Sequence, residues 1–354
     1  MQKKIRVGIV GCGGMARSVH IPSYQKLPDV EVVACADINE KAAIEVSKKF
    51  GIPHYYTDYH KMFEEIELDA VSICTPNVFH KDPAIEAMKH GAHVLTEKPM
   101  AASLEDAKEM YYTSKKYNRI LIVGFQTRFS LGINAIKNLV ESGSLGEIYY
   151  ARSRYLRRWG IPPSLTFIKK KFSGGGPLLD IGCYAVDTAL HVLGYPRPKN
   201  VFAFVFTKFG KNPEYVEKGC WGGRWKINDF DVEDNAFGMI RFEKDLAVSI
   251  ETNWASFTKE EGLNITLLGT KGGATLKPFE IYRELMGVRT VTTIQGEPPR
   301  ISIQEMKIFK FIESIKVGKP LYAPAIEGLR DQAILEAFYK SAMKKDAVKV
   351  EWDF

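Results

Sequence analysis

Val7-Gly8-Ile9-Val10-Gly11-Cys12-Gly13-Gly14-Met15-Ala16 sets the organisation of this 354-residue chain. A β-branched apolar run ends in Gly-x-Gly-x-x-Ala and passes into a segment of helical character, the pattern of a dinucleotide-binding turn. Gly11 permits the tight turn, Gly13 lets the backbone approach a pyrophosphate, and Ala16 lets helix and strand pack closely. Gly14 and Met15 complete the turn, and the helix start offers unpaired N–H groups and partial positive charge to phosphate. Glycine-rich turns also arise for geometric reasons alone, so the dinucleotide must find support further along the chain.

That support is the alternation that follows. Val30 to Ala36 predicts a strand, and Asn39 to Phe50 a helix closed by Gly51 and Pro53. Asp58 can cap a short helix bearing Met62, Phe63 and Ile66. Ala70 to Thr75 reads as a buried strand, Pro83 to His90 as a helix, His93 to Thr96 as a strand, and Ser103 to about Tyr117 as a helix opened by a capping box. Ile120 to Val123 is a further strand. Strands alternating with helices predict a doubly wound parallel sheet over residues 1–124.

After Gly124 the alternation stops. A helix from Leu131 to Ser142 precedes a strand from Ile148 to Leu156 and an irregular loop, Arg157 to Ser173. Strands are expected at Val201–Phe206, Asp234–Phe242 and Leu246–Ala255, with a hairpin around Gly269–Gly273 and two late helices, Gln304–Val317 and Ile326–Lys344. Residues 125–354 should therefore form an α+β domain on a large, mostly antiparallel open sheet. Two domains also suit the length, which exceeds one ordinary core.

Composition narrows the function. A formal charge of +7 without long basic tracts does not indicate nucleic acid, and no uncharged run reaches a membrane span. Lys169-Lys170-Lys171 and Arg157-Arg158 are read as solvated surface before anion sites. The start, Met1-Gln2-Lys3-Lys4-Ile5-Arg6, resembles a signal sequence only superficially, because glycines break its apolar stretch. Five widely spaced cysteines without Cys-x-x-Cys and seven histidines without ligand spacing favour a reducing cytoplasm and no metal site.

Ligands of such sheets sit at the C-terminal strand ends near the switch in strand order. Asp37, ending the second strand, can bond adenosine ribose hydroxyls or merely cap the next helix. A carboxylate there repels a 2′-phosphate, and Ile38 and Asn39 supply no arginine, so NAD is favoured with NADP still possible. Thr75-Pro76-Asn77, with His80 three residues on, ends one strand, and Thr96-Glu97-Lys98-Pro99 ends the next. A cis bond before Pro99 would aim Lys98 into the crevice; the alternative is a surface lysine. His80 is either a ligand-facing residue or only a helix start.

A second stretch, Gly174-Gly175-Gly176-Pro177-Leu178-Leu179-Asp180-Ile181-Gly182-Cys183-Tyr184, opens a helix running to Leu193. Asp180, Tyr184, Asp187 and His191 share one stripe of it. Since the other positions are apolar, the stripe should face a cleft, the alternative being solvent.

Together these motifs resemble the Gfo/Idh/MocA family, which includes glucose–fructose oxidoreductase and inositol dehydrogenase. Gly-x-Gly-x-x-Ala, Thr75-Pro76-Asn77 with His80, Glu97-Lys98-Pro99, Gly174-Gly175-Gly176, Asp180-x-x-x-Tyr184, Asp231-Val232-Glu233-Asp234 and Gly269-Thr270-Lys271-Gly272 occur in family order. The resemblance implies a Rossmann domain followed by a substrate domain whose open sheet makes homodimers or homotetramers. Val201 to Phe206, apolar on both faces, agrees with a covered sheet. It also implies hydride transfer between a secondary alcohol of a sugar or polyol and nicotinamide C4, with Lys98 and Asp180 catalytic. Many members carry histidine where this chain has Tyr184, and others use tyrosine. A free tyrosine near pKa 10 is a poor base at neutral pH, but a neighbouring ammonium such as Lys98 would stabilise its phenolate. Tyr184 would then exchange the hydroxyl proton, Lys98 polarise the oxygen, and Asp180 orient substrate or Lys98. Thr75, Pro76, Asn77, His80, Glu97, Lys98 and Gln126 join the glycine turn as expected cofactor contacts. Gln126 and Arg128 would line the nicotinamide end of the crevice, while Arg154, Trp159 and Lys171 are candidates for sugar contact, or ordinary loop residues.

Two rivals use the same fold. An NAD-assisted glycoside hydrolase would oxidise its substrate transiently and consume no net cofactor. A sensor would bind NAD and a partner protein, but need not keep Lys98, Asp180 and Tyr184.

Overall fold

Six parallel strands form the first sheet: β1 Ile5–Val10, β2 Val30–Ala36, β3 His54–Tyr56, β4 Ala70–Ile73, β5 His93–Thr96 and β6 Leu121–Val123. Their order is β3-β2-β1-β4-β5-β6 and all neighbouring pairs are parallel. That is the doubly wound order, with its switch point between β1 and β4. The structure is a computed structural model that describes residues 4–220, 223–296 and 301–354. Met1, Gln2 and Lys3 of the chain start lie outside them. The β-branched cores of β1, β4 and β5 are almost wholly buried, as expected where helices cover both faces of a parallel sheet. The short third strand, His54–Tyr56, follows the Gly51 cap.

The second sheet has nine strands: β7 Ile148–Leu156, β8 Pro198–Phe206, β9 Asn235–Phe242, β10 Ala247–Asn253, β11 Gly262–Gly269, β12 Gly272–Thr275, β13 Glu280–Leu285, β14 Val288–Thr293 and β15 Val348–Lys349. Their order is β14-β13-β12-β11-β7-β10-β9-β8-β15, antiparallel throughout except for the β7–β10 pair. Period-2 alternation sorts the side chains of β7. Ser153 points to the helix Cys183–Leu193, where its hydroxyl donates to the Ala185 carbonyl at 2.7 Å. Arg152 and Arg154 point to the opposite face. On β8, Val201 and Ala203 are buried, whereas Phe202, Phe204 and Phe206, with Met239 of β9, are 39–47% exposed.

The chain divides into two units, Met1–Gln126 with Ile301–Leu329, and Thr127–Arg300 with Arg330–Phe354. The first junction falls two residues past the expected boundary at 124. The second departs from a simple cut: the helix Ile303–Val317 returns to the first unit, where Lys307, Ile308, Phe311 and Ile312 are buried. Amphipathic periodicity predicts such a helix but carries no information on which core it covers.

Candidate active site

In the first unit the glycine turn has the form its function requires. Gly11 takes φ +91°, and a Cβ there would lie 2.7 Å from the Cys74 carbonyl carbon, so β1 and β4 approach too closely for any side chain. At Gly13 and Gly14 a Cβ would meet nothing within 4 Å. Both are exposed, Met15 is half-buried, and Ala16 is fully buried against the sheet. The open side of the turn is thus free for a ligand's backbone approach, and the residues fit a dinucleotide. The helix begins as a π-helical turn, Ala16–His20, before Ile21–Gln25.

Asp37 does not act as the cap of the next helix; Asn39 does, its side chain accepting from Ala42 N–H. One Asp37 oxygen accepts the Cys12 N–H at 2.7 Å and the other the Asn39 N–H at 2.8 Å. The carboxylate is therefore aimed across the turn, with lone pairs left for a ribose diol. Arg17, on the same turn, donates to the Cys12 and Ala42 carbonyls and pairs with Glu45, so its guanidinium is committed to the protein. Ile38 is 95% exposed.

The strand ends of β4 and β5 are pinned from below. Thr75, Pro76 and Asn77 are half-buried, and a short turn, Asn77–Phe79, follows. His80, expected among the cofactor contacts, is fully buried, with Nδ1 2.9 Å from the Pro99 carbonyl and Nε2 2.9 Å from the Thr75 carbonyl. Its ring lies between the two loop carbonyls, and burial lowers its pKa against the pull of those carbonyls. The Lys98–Pro99 bond is cis. Lys98 is half-buried, and Gln126 is buried. Glu97 is also buried, accepting from His20 Nε2 at 2.7 Å and from Lys307. Burial alone would raise its carboxyl pKa; the Lys307 charge and the His20 hydrogen bond outweigh that and hold it well below the usual range. Its side chain is consequently an anchor beneath the strand end.

In the second unit the Gly-Gly-Gly stretch serves packing. A Cβ on Gly176 would strike the Glu233 carbonyl, and the Gly176 and Leu178 N–H groups donate to Glu233 Oε1 at 2.9 and 3.2 Å. Tyr339 donates to the same oxygen at 2.8 Å. Glu233 therefore caps the helix start from across the core, and burial raises its pKa despite these donors. The helix opens with a π turn, Leu178–Gly182, followed by Cys183–Leu193.

Asp180 and Tyr184 are 8% and 7% exposed. Asp180 Oδ2 accepts from the Trp254 indole at 2.9 Å and faces Arg157 Nη1 at 3.5 Å. Tyr184 lies beside Tyr155, with ring centroids 6.1 Å apart. The stripe does not face a cleft along its whole length. Asp187 is fully buried, taking Arg128 Nε at 2.9 Å, and Arg128 also reaches Tyr195. His191 lies near Arg128 and Lys137, and burial together with those charges lowers its pKa to about 3. The lower half of the stripe is thus neutralised inside the protein.

The expected sugar-contact residues are not gathered around Asp180 and Tyr184. Arg154 lies on the far face of the sheet, 2.6 Å from Glu260. The Trp159 indole donates to the Gly219 carbonyl at 2.8 Å and stacks on Tyr215 at 4.7 Å. Lys171 is exposed, its ammonium 4.8 Å from the Phe172 ring. Arg157, read in the sequence as surface, is a charged residue that reaches Asp180. Trp254, fully buried, was not singled out either: nothing in the β10 pattern marks its indole as a donor.

The first part of the chain, residues 5–125, matches the model of an oxidoreductase family with an NAD-binding Rossmann fold, and residues 133–275 match the GFO/IDH/MocA C-terminal domain. The chain belongs to the GFO/IDH/MocA oxidoreductase family, and its first unit carries that family's NAD-binding fold. It is 36% identical over 341 residues to a D-glucoside 3-dehydrogenase of Escherichia coli K12, spanning 96% of this chain and 95% of that one. It is 27% identical to a levoglucosan dehydrogenase of Pseudarthrobacter phenanthrenivorans, over 98% of both chains. Among solved structures, a levoglucosan dehydrogenase complexed with NADH superposes with a TM-score of 0.85 at 25% identity, covering 99% of this chain and 100% of that one. Among the described residues no helix is long and apolar enough to cross a membrane.

Proposed function

We propose that this protein oxidises a ring secondary alcohol of a D-glucoside or closely related sugar with NAD. The observation that carries the substrate class is the 36% identity, over nearly the full length of both chains, to a D-glucoside 3-dehydrogenase. Bound NAD would supply the hydride acceptor. On the first unit, Gly13 and Gly14 would admit the pyrophosphate and Asp37 the adenosine ribose, with Thr75, Pro76, Asn77 and Gln126 bordering the nicotinamide side. Asp37 and the committed Arg17 support NAD over NADP, since neither offers a cation to a 2′-phosphate.

Lys98 would donate to the reacting hydroxyl oxygen and favour its alkoxide character. On the second unit, Tyr184 would exchange the hydroxyl proton. Asp180, oriented by Trp254 and Arg157, would accept a substrate hydroxyl hydrogen bond. Arg128 would act through Asp187, steadying the helix that bears Tyr184, rather than at the nicotinamide.

The deciding experiment follows absorbance at the nicotinamide band with NAD and with NADP, against glucosides, free sugars, levoglucosan and inositols, in both directions. NADH formation with a glucoside supports the proposal. Silence across the panel with aryl glycosides cleaved and no NADH accumulating would replace it with the hydrolase.

The exposed face bearing Phe202, Phe204, Phe206 and Met239 supports a homodimer or homotetramer formed through the second sheet. Light scattering of the wild type and Phe204→Lys tests this, with a smaller species expected for the variant. Five free cysteines support a reducing, cytoplasmic setting.

A further inference from the structure

A chain of buried polar groups runs beneath the strand ends of the first unit. Tyr24 OH lies 2.7 Å from Ser72 Oγ, Ser72 Oγ lies 3.0 Å from His20 Nδ1, and His20 Nε2 lies 2.7 Å from Glu97 Oε1. Lys307 closes the chain on the same Glu97 oxygen. Tyr24, His20, Ser72 and Lys307 are fully buried, and the Lys307 carbonyl accepts from Tyr322 OH at 2.7 Å. With Glu97 ionised, only one assignment satisfies every atom. His20 Nε2–H donates to Glu97, Ser72 O–H donates to His20 Nδ1, and Tyr24 O–H donates to Ser72. His20 is then neutral, as its burial favours. The cluster holds one anion and one cation.

Its location gives it a use. Glu97 immediately precedes Lys98, and its own N–H donates to the Ile73 carbonyl at 3.0 Å. On the other side of Lys98, Pro99 is held through its carbonyl by His80. Lys98 thus sits between two clamped residues. One clamp draws on the helix behind the glycine turn through His20 and on a residue 210 positions downstream.

We propose that Lys307 is a positioning residue for Lys98: by neutralising and pinning the Glu97 carboxylate, it fixes the strand end from which Lys98 projects. This rests on the catalytic reading of Lys98. Without the Lys307 ammonium, a buried carboxylate must take up a proton or turn toward another cation, and the nearest in sequence is Lys98 itself.

The test combines exchange with kinetics on the full-length enzyme. In Lys307→Met, amide hydrogen exchange at Thr96 to Lys98, measured without cofactor or substrate, should rise by about tenfold or more while β2 exchanges as in the wild type. With saturating NAD and a methyl D-glucoside, kcat should fall by about tenfold or more, KM changing by no more than about threefold. The kcat profile should gain an ionisation belonging to Glu97. The Glu97→Gln/Lys307→Met pair, which removes both charges, should lose that ionisation and recover part of kcat. It also keeps the test alive should the single variant fold poorly. Unchanged exchange at Thr96 to Lys98 overturns the proposal. So does a rise spread evenly over the unit with equal kcat losses in the single and double variants. Wild-type turnover in Lys98→Met would instead overturn the catalytic reading of Lys98, whatever Lys307→Met does to exchange.

Discussion

Replacing Trp254 by Phe removes one donor and little else. The indole is fully buried in a cluster with Ile161, Ile168, Ile181, Phe230 and Val232, and its Nε1–H donates to Asp180 Oδ2 at 2.9 Å. A hydrogen bond to a charged group contributes about 1.5–3 kcal/mol. The void left by the smaller ring, roughly 40 Å³ at about 24 cal/mol per Å³, adds about 1 kcal/mol. Unfolding should therefore cost about 2.5–4 kcal/mol less, read from the urea midpoint at constant slope. Asp180 loses the indole donor while its longer contact to Arg157 at 3.5 Å remains, so its carboxylate is less tightly oriented. If orientation matters to turnover, kcat/KM should fall about 10- to 100-fold, or roughly 1.4–2.7 kcal/mol. Phe230→Leu is the control: its ring packs edge-on to Trp254 at 6.5 Å and donates nothing to Asp180. It should lower stability and spare turnover. Equal losses of kcat/KM in the two variants, or none in Trp254→Phe, would refute the reasoning.

Gly11→Ala and Gly13→Ala should separate folding from binding. The first forces a Cβ to 2.7 Å from the Cys74 backbone and should destabilise by about 2 kcal/mol or more. The second meets nothing in the protein and should leave the melting temperature intact while weakening NAD about tenfold or more by titration. Asp37→Ser with Ile38→Arg should move the NADP-to-NAD ratio of kcat/KM upward; no movement would show that the ribose is held elsewhere. Acid should destabilise the protein. His20, His80 and His191 have pKa values lowered mainly by burial, His191 to about 3. They bind protons on unfolding, so stability is full above about pH 6.5 and declines below it. His191 accounts for at most about 1 kcal/mol between pH 6.5 and 5.5. A urea midpoint that stays constant over that interval would contradict this.

Much of the fold was legible because local patterns suffice for it. The β-branched runs ending at Val10, Ala36, Ile73 and Val123 and the punctuation at Gly51 identify a parallel alternation without tertiary knowledge. What stayed hidden was partnership across distance. Arg128 and Asp187 each resemble site residues until their pairing 59 residues apart is seen. Arg154 lies one residue from Ser153, yet the pleat sends the two to opposite faces, which adjacency in the sequence does not reveal. His80 and Glu97 carry the right chemistry for ligand contact, and the sequence did not show that both also have protein partners beneath the strand ends. Lys307 and Trp254 carried no signal, since a lysine on a late helix and a tryptophan ending a strand are ordinary until their atoms meet a carboxylate.

The buried and half-buried carboxylates share a physical logic. Each would be costly alone, and each is satisfied by groups from a segment distant in sequence. Asp37 takes an N–H from the glycine turn, Glu97 takes His20 and Lys307, and Glu233 takes two N–H groups from the Asp180 helix start. Asp234 takes the N–H groups of Lys208, Phe209 and Gly210. An apolar contact would hold these segments together nearly as well, but it would tolerate sliding. A charged acceptor with fixed donors does not, because a shift of an ångström leaves an unsatisfied charge inside the protein. The anchors lie under the cofactor turn, beside Lys98 and at the start of the helix bearing Asp180 and Tyr184. Those are the three places where the proposed hydride transfer requires fixed geometry.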